Sequence, residues 1–289
     1  MSRIKLSMPL PPKLTEWLKD VFPAWAQLPQ EAFHGLVPFN STESPLHLDY
    51  LDIAADISAS PMFSNLRLFL TLIGEGRIVL LSDGTMASDS LDLLLATTDW
   101  PNYDIELTRM HRRPLDQENL GPLDFLIALA IACQFVEVAE GRIKVTDAGR
   151  RLHENRIDAA TVRSVFEATF LKINPRTLTK LAQPWVHEQA GIVFWGLSKT
   201  ADVPRTVPEL TRYCFVPPEK FLDDNSASIL EVYMRSVYLL PLTWLGLMST
   251  TAPQSTSWSV HDLLFQKTPL FDRFMHFTIE PAVPVERPN

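Results

Sequence analysis

Cysteine is nearly absent. Cys133 and Cys214 are the only two in 289 residues, too few for a disulfide framework. Cys133 lies inside "FLIALAIAC", where a thiol behaves as a small apolar group. Long hydrophobic runs are missing as well. The two longest, near 125–133 and 237–248, fall short of the ~20 residues that a membrane span needs. Prolines interrupt "MSRIKLSMPLPPKLTEW", where a signal peptide requires a continuous apolar core. These absences predict a cytoplasmic protein with no membrane partner. Positive charge is also short: 26 Lys and Arg stand against 34 Asp and Glu, a net charge of −8. That balance excludes a protein that coats nucleic acid through its overall field, though not one with a local basic patch.

Recognisable catalytic and metal motifs are lacking too. GxSxG, the Walker loop, GxGxxG, HExxH and CxxC do not occur, and the seven histidines are isolated from one another. "HLDYLDIAAD" places His47, Asp49, Asp52 and Asp56 within about three helical turns, and it reads as a solvated acidic helix face. The expectation is therefore a non-enzymatic chain with no metal site and no small-molecule cofactor.

What the sequence does hold is 46% hydrophobic residues and a set of helix signals. Glycine is sparse, at 10 residues, whereas 23 prolines are spread along the chain and often mark helix starts. Residues 1–40 carry Trp17, Phe22, Trp25, Phe33 and Phe39 and read as an arm packed on the body. Ser44-Pro45 and Ser60-Pro61 each read as the opening of a helix. After the second, Leu66, Phe69, Leu70 and Ile73 recur at helical spacing, and Gly74 and Gly76 stop the run. Thr206 and Glu209 form a capping-box pattern.

Two later stretches echo each other. "GRIVLLSDG" (76–84) and "GRIKVTDAG" (141–149) share their Gly-Arg-Ile start and their final glycine at a constant offset of 65 residues. An apolar helix precedes each and a helix follows, so the pattern predicts an internal repeat. A weaker third copy is expected near the C-terminus. There Thr268 takes the place of Thr146, Phe271 replaces the glycine, and Thr268-Pro269 opens a helix to about Phe277.

Helix, strand, turn, strand and capped helix form the later part of a winged-helix unit. The predicted fold is mainly α with small β-hairpins, arranged as tandem winged-helix-like modules. An N-terminal arm and helix would cover 1–59, modules 60–110 and 111–160, connecting helices 161–204, and a third module 205–289. With "VLLSDGTM", "IKVTDAGRRL" and "WLGLMST", the chain resembles a bacterial family related to a Ri-plasmid open reading frame, over roughly residues 60–280. That family carries leucine-threonine-glycine corners. Here Ser82 stands for the threonine one register later, Thr85 for an asparagine and Val145 for a leucine. The resemblance implies architecture more than activity.

Local charge raises the question of DNA. Between 142 and 180 there are nine bases against four acids, and Arg112 and Arg113 lie just upstream. A phosphate-contacting set of Arg142, Lys144, Arg150, Arg151, Arg112 and Arg113 is the candidate site of a DNA-binding regulator. The helix before this corner argues against base reading. "PLDFLIALAIACQFVEV" is apolar on every face and is expected to be buried on every face. "MFSNLRLFLTLIG" offers Ser64, Asn65, Arg67 and Thr71 but precedes no basic wing, and the third module's helix carries Glu231, Tyr233 and Arg235. The leading expectation is thus an interaction or adaptor protein, bound to a protein partner or to itself. Double-stranded DNA is the alternative partner.

Overall fold

Short helices and two-stranded ribbons make up the chain, in a computed structural model that describes residues 11–19, 21–37, 39, 41–81, 84–103, 121–139, 141–154, 156–222, 224–253 and 262–279. The N-terminal arm holds α1 (Pro12–Leu18), a 3-10 turn (Ala24–Gln27) and α2 (Gln30–Gly35). It packs onto the body as its aromatic content predicts: the Trp25 indole N–H donates to the Phe215 carbonyl at 2.7 Å.

The next segment corrects the sequence reading. Ser44-Pro45 opens a strand, β1 (Leu46–Leu48), and the Ser44 hydroxyl accepts from the Leu46 N–H at 3.2 Å. Leu46 and Leu48 turn inward while His47 faces solvent, the two-residue period of a half-buried strand. Helix α3 (Tyr50–Ile57) begins only at Asp49, whose carboxylate accepts from the N–H groups of Leu51 and Asp52. The segment is therefore strand, cap and helix rather than one acidic helix.

Then come α4 (Pro61–Gly74), α5 (Ser88–Thr97) and α6 (Gly121–Ala132). Ser60 stands before α4 as expected, but its buried hydroxyl makes no cap bond, so the fixed φ of Pro61 sets the start. Strands β2 (Val136–Ala139) and β3 (Arg142–Val145) form an antiparallel hairpin that leads into α7 (Asp147–His153). Helix α8 (Ala159–Glu167) runs on into a π turn at Ala168–Lys172. Next are α9 (Trp185–Glu188), α10 (Ala190–Thr200) and α11 (Val207–Cys214). Both halves of the Thr206–Glu209 capping box are formed.

Helix α12 (Asp224–Tyr233) continues through a π segment, Met234–Leu239, into α13 (Leu240–Trp244). The second hairpin, β4 (Met248–Thr251) with β5 (Leu264–Lys267), leads into α14 (Pro269–Phe274). That last helix does not reach Phe277. At Met275 the chain becomes β6 (Met275–Phe277), which pairs antiparallel with β1.

The β1–β6 ribbon joins segments more than 200 residues apart and gives the acidic residues a partner. Arg273 of α14 reaches Asp52 and Asp56, one turn apart on α3, at 2.8 Å each. The Arg273 hydrogen bond holds the Asp52 carboxyl below its usual range. Asp52 and Asp56 thus form a clamp, not a free solvated face. Beneath the ribbon lies an aromatic core in which Phe166, fully buried, touches the rings of Phe39, Tyr50, Phe170, Phe194 and Phe274.

Candidate interaction surface

Each hairpin is held to the helix before it by the same backbone closure. After α6, Gln134 adopts a left-handed φ of 56°; its N–H bonds the Ile131 carbonyl, and the Phe135 N–H bonds that of Ala130. After α13, Gly246 (φ 78°) and Leu247 bond Thr243 and Leu242 in the same way. After α4, Gly76 (φ 69°) and Arg77 bond Ile73 and Leu72. All three are Schellman ends, which satisfy the last helical carbonyls and turn the chain sharply outward.

The return corner is shared by the second and third units. The Thr146 N–H bonds the Phe135 carbonyl, its hydroxyl donates to Gln134 at 2.6 Å, and it caps α7 by accepting from Gly149. Thr268 repeats the first two contacts, bonding Leu247 through its N–H and donating to the Gly246 carbonyl at 2.8 Å. Gly149 has a separate reason: a Cβ there would collide with the Phe135 carbonyl oxygen. In the first unit only Leu80 and Met86 bridge, and the Ser90 hydroxyl, accepting from the Val79 N–H and donating to the Arg77 carbonyl, does the tying.

The Gly-Arg-Ile echo is consequently out of register. Gly76 ends a helix, whereas Gly141 (φ 69°) is the turn between β2 and β3. Gly84 (φ 84°) lies in the loop between Leu80 and Met86, whereas Gly149 lies inside the first turn of α7. The third corner reproduces the second more closely than the first does, although it carries Phe271 in place of glycine.

These corners place the candidate basic residues. On β3, Arg142 and Lys144 face solvent and lie opposite Ala139 and Glu137, while Ile143 and Val145 turn inward on the face of the strand that meets α4. Arg150 belongs to the corner itself, donating to the Val145 carbonyl at 3.1 Å and pairing with Asp147. Arg151 is exposed on α7. Arg112 and Arg113 lie outside the described residues. Further along, Arg156 pairs with Glu154, Lys172 pairs with Glu167, and Arg163 stacks on the Tyr50 ring at 4.9 Å. The nine bases therefore do not act as one array. Exposed pairs such as these are worth roughly 0–1 kcal/mol each, so they order the surface more than they stabilise it.

The helices before the hairpins are not free to enter a groove. Leu123, Phe125, Leu126 and Leu129 of α6 are buried. On α4 the buried Asn65 amide is spent on the backbone of Asp99, Arg67 holds the Ser58 carbonyl, and Thr71 meets His153. On the third, Tyr233 donates to Leu181 and Arg235 to Asn102, both through backbone carbonyls. The polar side chains that looked available for bases at α4 and α12 thus serve internal contacts.

Two hairpins differ in what they expose. Val79 and Leu81, on one side of the first, are 54% and 47% exposed. The second presents Arg142 and Lys144 instead.

Residues 58–158 match the sequence model of the Y4jL N-terminal domain. The matched segment begins just before α4 and ends at Asp158, the residue that caps α8. The Y4jL N-terminal domain match therefore spans the first two helix–hairpin–helix units together and stops short of the third. No curated protein and no solved structure matches the chain. Among the described residues no helix is long and apolar enough to cross a membrane. No three His, Cys, Asp or Glu side chains converge there as metal ligands either. Burial pushes the thiols of Cys133 and Cys214 up to about 11 and about 12, which suits packing better than thiolate chemistry.

Proposed function

We propose that the chain is a non-enzymatic interaction protein made of tandem winged-helix-like units, which meets its partners with hairpins instead of helices. The exposure of Val79 and Leu81 beside fully engaged helices carries this reading. Apolar side chains on a protruding hairpin gain by leaving water, whereas burying α4 or α6 residues against a partner would first require unpacking the core.

A photo-crosslinking amino acid at position 79 or 81 tests it. The expected result is one discrete protein adduct from each site, identified by mass spectrometry as a second copy or a distinct partner. Exposed Asp92 on α5 serves as the control. Adducts at 79 and 81 no stronger than those at 92 would remove the reading.

A second reading, phosphate contact with duplex DNA, is supported by Arg142 and Lys144 lying side by side on the outer face of β3. Replacing both by Glu should weaken duplex binding and reduce the slope of log K against log salt by about 2. Arg150 is unsuited to this test because its substitution would also disturb the corner. Wild-type protein that shows no salt-dependent duplex binding would end the DNA reading.

A further inference from the structure

We propose that His47 and His276 form a two-imidazole site for a divalent transition-metal ion of the zinc, nickel or copper kind. The two residues are direct partners in the β1–β6 ribbon. On each strand the flanking residues, Leu46 and Leu48 or Met275 and Phe277, turn toward the core, and each histidine faces solvent. The side-chain period of a strand therefore puts both imidazoles on one face.

The ribbon's hydrogen bonds define the spacing. The Asp49 N–H donates to the Phe274 carbonyl, and the Thr278 N–H donates to the Pro45 carbonyl. Alternation between these two bonds makes His47 and His276 a hydrogen-bonded pair, with Cα atoms roughly 5.5 Å apart. Imidazole nitrogens bind zinc at roughly 2.0–2.1 Å, a reach compatible with two side chains converging from such a pair.

The surroundings favour a cation. Thr278 Oγ1 lies 3.5 Å from His47 Nε2, and the same hydroxyl donates to the Pro45 carbonyl. Toward His47 it can then act only as acceptor, which places the ring proton on Nε2 and leaves Nδ1 with a free lone pair. Asp52 and Asp56 clamp Arg273 beside the ribbon, so this group carries net negative charge, and Asp52 is near enough to His276 for their charges to interact. No third ligand joins from the described residues, so water completes the coordination shell. The site would be open and exchangeable, bridging the two ends of the described fold.

The test uses the full chain, stripped with chelator and titrated calorimetrically with zinc chloride. A single ion should bind, and binding should raise the melting temperature because the metal favours the closed ribbon. His47→Gln and His276→Gln should each weaken binding by about tenfold or more and abolish the thermal shift, whereas His153→Gln should leave both intact. With copper, electron paramagnetic resonance should report two imidazole nitrogens in the wild type and one in each ribbon variant. Both ribbon residues are exposed, and metal-free melting curves will establish that the variants fold. Absence of binding, or binding unaffected by both ribbon substitutions, would overturn the proposal.

Discussion

Phe166→Ala is expected to lower stability by about 3–5 kcal/mol. Phe166 is fully buried, and the five rings it meets come from distant parts of the chain: Phe39 beyond the arm, Tyr50 on α3, Phe170 in the π turn, Phe194 on α10 and Phe274 on α14. Truncation removes the transfer free energy of the ring and leaves a cavity whose walls are helices that cannot all move inward. The cost should therefore lie in the upper range for a core phenylalanine. Urea unfolding followed by circular dichroism measures it, and a falling midpoint at unchanged slope is the expected signature. A loss below about 1 kcal/mol would mean that these segments do not share one core.

The second large effect is acid sensitivity through His187. Burial alone lowers this imidazole to about 4, and its Nε2 is buried with no hydrogen-bond partner among the described residues. Protonation would create a buried cation with an unsatisfied N–H, while the unfolded chain takes the proton near pH 6.5. Because the folded value lies below the unfolded one, the unfolded state binds more protons in between, and stability falls with falling pH. The contribution is fully present above pH 6.5 and is lost progressively down to about pH 4, to a total of about 3 kcal/mol. His187→Phe should flatten the pH dependence of the urea midpoint between pH 6.5 and 4.5. A wild-type midpoint that is level across that range would refute the assignment.

Much of the local structure was readable from residues within a few positions of one another. The Thr206–Glu209 box, the proline starts of α4 and α14, the burial of α6 and the placing of Thr268 with Thr146 all rest on contacts within one turn or one hairpin. The candidate site was less legible. Arg142, Lys144 and Arg151 are exposed as expected, but Arg150 is bound into its corner, and Asn65 and Arg67 turned out to serve packing. Charge and polarity mark a side chain as polar, and they do not say whether water, a base or a neighbouring carbonyl will meet it.

The Gly-Arg-Ile echo misled for a related reason. A glycine with positive φ is required both at a helix end and in a hairpin turn, so Gly76 and Gly141 look alike in sequence while doing different work. The true correspondence runs through Gly76, Gln134 and Gly246, whose common property is a backbone conformation and not a residue type.

By itself the sequence determined that this chain forms short, well-capped helices punctuated by hairpins, with enough apolar surface for a shared core. Only the tertiary structure decided that β1 pairs with β6, that Arg273 is clamped by Asp52 and Asp56, and that His47 faces His276. A three-residue strand has too little period to announce itself, and its partner lies more than 200 residues away. Such a pairing is selected when the rest of the chain has packed and brought the two segments together, because no local interaction can repay that closure in advance.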